Sequence, residues 1–143
     1  MKILVVNGPN LNLLGTREKD IYGDRTFEDY LGELRGRYAP RGVDLDYFQS
    51  NHEGEMIDAL HDARGKYDGV VLNAGGYTHT SVALADAVGA VAGTGLRTVE
   101  VHISCICSRE EYRHVSLIAP KCMGSVMGFG LDSYRLGVEA FLK

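Results

Sequence analysis

Two stretches of this chain place proton-transfer groups within reach of one another. In RTVEVHIS, Glu100 and His102 stand two apart, so on a strand both side chains leave the same face. A carboxylate beside an imidazole fixes the ring tautomer and raises its proton affinity, which suits a proton donor near neutral pH. The competing reading is a surface pair on an edge strand. In VVNGPNLNLLGTREKDIYG, residues 5–23, Asn10, Asn12, Arg17 and Tyr22 follow an apolar run within one loop. A guanidinium close to a phenol favours the phenolate, lowering a pKa that is about 10 in isolation. A tyrosinate is a competent base for a carbon acid, whereas the bland role for Tyr22 is packing.

A third polar cluster is NAGGYTHTS, residues 73–81. Gly75-Gly76 lets backbone approach a ligand closely, and Thr80-Ser81 can cap a following helix whose first N–H groups would face an anion. The amides of Ile103 and Ser104 have similar potential if they point outward. An ordinary glycine-rich turn explains the glycines alone, but Asn73 and His79 flanking them favour binding.

These groups need elements to carry them. Ile3–Val6 and Gly69–Leu72 are fully apolar and read as buried strands. Residues 43–48 and 97–103 alternate as strands, and 125–129 is a weaker one. Helical spacing begins after Thr26, where Thr-Phe-Glu-Asp resembles a capping box, and carries Tyr30, Leu31, Leu34 and Tyr38. Further helices are expected over 53–66, 80–92 and 134–142. Repeated strand–helix alternation predicts an α/β fold, a five-stranded parallel sheet covered by helices on both faces, with the flavodoxin-like order 2-1-3-4-5 as first choice at this size. In such sheets ligands bind beyond the carboxyl ends of the strands. All three polar clusters fall at such ends.

With 143 residues the chain reads as one domain spanning 1–143. A net charge of −4 gives no basic footprint, so nucleic acid is a poor partner. The apolar run after Lys2 is too short for a signal peptide, and no stretch approaches the roughly 18 apolar residues of a membrane span. Three cysteines suggest no disulfide framework and a reducing cytoplasm. GPNLNLLG lacks the spacing and Gly-Lys-Ser/Thr of a phosphate loop, and no G-x-G-x-x-G follows the first strand. His102, Cys105 and Cys107 have no second ligand pair at zinc spacing, so a metal is not expected. Cys105 as a hydrolytic nucleophile lacks an elbow or an oriented triad. His52, His61 and His114 read as surface or structural. A binding module without chemistry would have no need of Tyr22, Arg17 and His102 together.

NGPNLNLLGTRE…YG, NAGGYTHTSVALADA, EVHIS and REEYRHVS, in this order, resemble the type II 3-dehydroquinate dehydratases over essentially the whole chain. The resemblance implies a flavodoxin-like subunit needing no cofactor or metal. It would dehydrate 3-dehydroquinate to 3-dehydroshikimate by anti elimination through an enolate, commonly as a dodecamer of trimers. By motif position Tyr22 resembles the base and Arg17 the residue sustaining its tyrosinate. Asn10, with the Pro9 carbonyl and Gly76 amide, resembles the holder of a water that supports the enolate. His102, oriented by Glu100, resembles the acid at the departing hydroxyl. Asn73, His79 and Arg113 match substrate contacts, and the Ile103 and Ser104 amides match a carboxylate cradle. Asp86 matches a residue reaching a neighbouring subunit's site. Residues 15–23 match a lid. Cys105, Cys107 and Ser108 depart from the family's usual Asn-Ile-His-Ala before Arg109, as does Pro120-Lys121-Cys122-Met123 from its usual small residues. Both changes bear on substrate affinity more than on reaction type.

Overall fold

A computed structural model describes residues 1–16 and 24–142. Short apolar runs form β1 (Lys2–Asn7) and β3 (Gly69–Asn73), and short stretches mixing apolar and polar residues form β2 (Asp44–Gln49), β4 (Arg97–His102) and β5 (Gly124–Met127). Every ladder is parallel, and the order is β2-β1-β3-β4-β5, as the alternating pattern predicts. Parallel neighbours need long crossovers, here supplied by α1 (Phe27–Tyr38), α2 (Glu53–Ala63), α3 (Val82–Ala92) and α4 (Asp132–Glu139).

Strand alternation sends Ile3, Val5, Val71, Val99 and Val101 to one face, against Phe27, Leu31 and Leu34 of α1 and Tyr134 and Val138 of α4. Leu4, Val6, Val70 and Leu72 go to the other, against Met56 and Leu60 of α2 and Leu84, Val88 and Val91 of α3. Each such side chain contributes about 1.5–3 kcal/mol on burial, so runs this apolar must be covered on both faces. No helix among the described residues is long and apolar enough to cross a membrane.

Element ends follow their local chemistry. The Thr26 side chain accepts from the Asp29 amide and starts α1, as its capping-box pattern predicts. The helix expected over 53–66 stops at Ala63, because Gly65 takes a left-handed φ of 73°. β5 stops at Met127, before the left-handed Gly128. Ser81 rather than Thr80 caps α3, its Oγ accepting from the Leu84 amide at 2.8 Å. The same Oγ donates to Glu53 Oε2 at 2.5 Å, so a carboxylate already stands where an anion was expected.

β4 lies between β3 and β5, which overturns the edge-strand reading of Glu100 and His102. Glu100 is fully buried and His102 is only 7% exposed.

Candidate active site

Because β1, β3 and β4 are adjacent and parallel, their carboxyl ends open on one edge of the sheet. There a cleft of about 140 Å³ is lined by Pro9, Asn10 and Leu11 after β1, and by Asn73, Gly75, Gly76 and His79 after β3. His102, Ile103, Ser104, Ile106, Arg109 and Arg113 complete it from β4 and beyond. Eight residues expected from the sequence therefore meet: Asn10, Asn73, Gly76, His79, His102, Ile103, Ser104 and Arg113. Arg17, Tyr22 and most of the expected lid lie outside the described residues. Asp86 is exposed on α3 and does not line this cleft.

Glu100 and His102 form the pair that their spacing predicts, with His102 Nε2 2.8 Å from Glu100 Oε1. A carboxylate accepts, so Nε2 carries the proton and Nδ1 is the nitrogen left for the cleft. Ser116 Oγ donates to Oε1 at 2.5 Å and Ser125 Oγ to Oε2 at 2.6 Å. Burial pushes the Glu100 pKa up. The bonds from His102, Ser116 and Ser125 outweigh it and hold the carboxyl below its ordinary range. The result is a buried anion under an imidazole at the wall of a cleft, and the ring, once its Nδ1 is also protonated, can donate that proton to a bound oxygen.

The floor at β1 and β3 is tied by one hydroxyl. Tyr134, fully buried on α4, donates to Asn7 Oδ1 at 2.8 Å and accepts from Asn73 Nδ2 at 2.8 Å. Asn73 Oδ1 in turn accepts from the Gly75 amide at 3.1 Å, which fixes the turn presenting Gly76. The strand exits approach so closely that a Cβ on Gly8 would stand 2.5 Å from the Ala74 carbonyl oxygen. Asn73 thus holds the site's frame while also lining it.

Asn10 is the only non-glycine residue with positive φ among those described, at 71°. Such a conformation persists where neighbours over-determine it. The Asn10 amide donates to Asn51 Oδ1 at 3.1 Å. Gln49 Nε2 donates to that same oxygen at 3.1 Å and to the Gly8 carbonyl at 3.2 Å. It also reaches Asn12 Oδ1 at 3.4 Å, which gives Asn12 a supporting place in the corner.

On the opposite wall, His79 Nδ1 lies 2.9 Å from the Val115 carbonyl oxygen, so Nδ1 carries the proton and Nε2 is left as an acceptor. Arg113 Nε donates to Glu110 Oε2 at 2.9 Å, and its guanidinium stacks 5.2 Å from the Tyr112 ring centroid. With Arg109 it puts two cations at the cleft, suited to a carboxylate ligand. Cys105 is half-buried and does not line the cleft. Among the described residues no three His, Cys, Asp or Glu side chains gather where they could hold a metal ion.

Sequence reasoning missed Gln49, Asn51, Arg109, Ser116, Ser125 and Tyr134. The strand-end rule applied to β2 points directly at Gln49-Ser50-Asn51. Arg109 shares its short loop with Arg113. Ser116, Ser125 and Tyr134 carry no local signal, because each meets its partner only through the fold.

Fold and cleft together define a flavodoxin-like α/β protein with a buried carboxylate–imidazole pair opening on a cleft at the carboxyl edge of its sheet. The dehydroquinase class II family model matches residues 1–142, and the chain belongs to that family. It is 54% identical over 143 residues to the 3-dehydroquinate dehydratase of Exiguobacterium sp., covering 100% of this chain and 95% of that one. Type II dehydroquinase from Butyrivibrio crossotus superposes with a TM-score of 0.95 at 42% identity, covering 100% of this chain and 98% of that chain. The Propionibacterium acnes type II dehydroquinase gives a TM-score of 0.90 at 37% identity, covering 97% and 94%.

Proposed function

We propose that this chain is a type II 3-dehydroquinate dehydratase, a lyase that converts 3-dehydroquinate to 3-dehydroshikimate by anti elimination through an enolate. The observation that carries this reading is the buried Glu100–His102 pair opening on a cleft that also holds two arginines and the Gly75-Gly76 turn. Membership of the family and the names of its relatives support the substrate and a place in the shikimate pathway or in quinate breakdown.

A β-hydroxy ketone needs a base at carbon, a stabiliser for the enolate and an acid at the leaving oxygen. Tyr22, as tyrosinate sustained by Arg17, takes the proton alpha to the ketone. The electron pair passes into the enolate, supported by a water held between Asn10, the Pro9 carbonyl and the Gly76 amide. His102 then protonates the departing hydroxyl, the enolate collapses to the conjugated enone, and water leaves. The cycle closes when the proton on Tyr22 is returned to the imidazole. Asn73 and His79 contact substrate hydroxyls, and Arg113 with the Ile103 and Ser104 amides holds the carboxylate. Asp86 serves a neighbouring subunit's site within a dodecamer of trimers, in the cytoplasm, with residues 1–143 as the catalytic unit of each subunit.

Absorbance of the enone formed from 3-dehydroquinate tests the reading. Activity is expected without added metal and to vanish almost completely in Tyr22→Phe and His102→Ala, and its survival in both would sink the mechanism. Borohydride with substrate should leave the enzyme active; a trapped lysine adduct would count against this route.

A further inference from the structure

Glu100 carries its charge at zero exposure, and three donors from three parts of the chain meet its two oxygens. An isolated buried carboxylate would take up a proton rather than stay charged, so the donors decide its state. His102 is one of them and is itself the proposed acid. The other two, Ser116 and Ser125, stand behind the pair and touch no other part of the proposed chemistry.

We propose that Ser116 and Ser125 are positioning residues that keep Glu100 ionised beneath His102 and thereby set the lower pH limit of proton donation. Ser116 is itself fixed, because its Oγ accepts from the Ile118 and Ala119 amides at 3.2 and 3.0 Å while donating to Glu100. Ser125 is held by register, as the Cα partner of Glu100 in the β4–β5 ladder. Among the described residues, no charge other than that of His102 acts on Glu100. Its β3 partner is Leu72. The helix covering this face, α3, presents Leu84, Val88 and Val91, and its one ionisable residue, Asp86, points to solvent. The Cys122 thiol also faces Glu100; burial and that carboxylate push its pKa up to about 12, so it stays neutral. A hydroxyl donor to a charged group is worth enough that losing one raises the acid's pKa by roughly one unit.

The inference rests on the proposed reaction, and its test has one arm that does not. In the free protein, infrared titration follows the C=O stretch of protonated Glu100, assigned by its absence in Glu100→Gln. The stretch should emerge at a pH higher by roughly one unit in Ser125→Ala and in Ser116→Ala, and return to the wild-type position in Ser125→Thr. The acid limb of kcat should move in parallel while the rate at optimal pH changes little. Ser125→Ala breaks no amide contact, so it keeps the test intact if Ser116→Ala fails to fold. A stretch that does not move in folded Ser125→Ala overturns the inference. Absence of enone formation by the wild-type protein would count against the reaction instead and leave the infrared result standing.

Discussion

Asn7 and Asn73 are Cα partners across the β1–β3 ladder, and the single hydroxyl of Tyr134 joins their side chains. These strands adjoin where the sheet order reverses, the place where ligands bind in folds of this kind. A helix late in the chain therefore locks the corner from which the cleft is built.

Removing only that oxygen, in Tyr134→Phe, leaves one buried acceptor and one buried donor without their partner. Stability should fall by about 1–3 kcal/mol, read as a lower urea midpoint at unchanged slope. The freed Asn73 should also raise KM, since it frames the Gly75 turn.

If Glu100 acts only through His102, their losses should not add. His102→Ala is expected to cost about 10²–10⁴-fold in kcat, and Glu100→Gln a part of that. The double variant should be no slower than His102→Ala alone. Multiplying losses would show that Glu100 has a separate task.

Stability should depend on acid through Glu100. Its folded-state pKa is depressed below the ordinary 4.5, burial being outweighed by the His102, Ser116 and Ser125 bonds. The unfolded chain therefore binds more protons between those two values. The contribution is present in full above pH 4.5 and is lost as pH falls through the folded value. Urea midpoints measured from neutral pH downwards should drop across that window, and drop less in Glu100→Gln.

The Asn10 corner can be tested at Asn51. Alanine there removes the acceptor for the Asn10 amide and, on the proposed mechanism in which Asn10 holds the water supporting the enolate, should lower kcat about tenfold with the fold intact. Aspartate keeps an accepting oxygen and should restore most of the rate. Equal losses in both variants would show that the contact is incidental.

At Gly8 any side chain meets the Ala74 carbonyl oxygen at 2.5 Å, backbone that cannot move without separating β1 from β3. Gly8→Ala should either cost several kcal/mol, on the order of a severe overpacking change, or prevent folding. Thermal denaturation checks it, and a wild-type melting temperature would refute the close approach.

Much of this protein was legible in its residues because the signals are local. Runs such as VVLN in β3 have to be covered strands, Thr26 has to start a helix, and parallel strands have to bring polar carboxyl ends to one edge. The i, i+2 spacing of Glu100 and His102 likewise forces them onto one face. Local pattern does not say which strand is central, so the burial that makes Glu100 a supported anion rather than a surface charge came from β5 docking beside β4 and from α3 and the Ser116 segment closing over that face. Nor does it choose between Thr80 and Ser81, since that depended on where α3 begins, at Val82. Ser116, Ser125 and Tyr134 reach Glu100, Asn7 and Asn73 across long stretches of chain. A hydrogen bond has no sequence period when its two ends lie on different elements, so only the packed sheet and helices decide which groups meet.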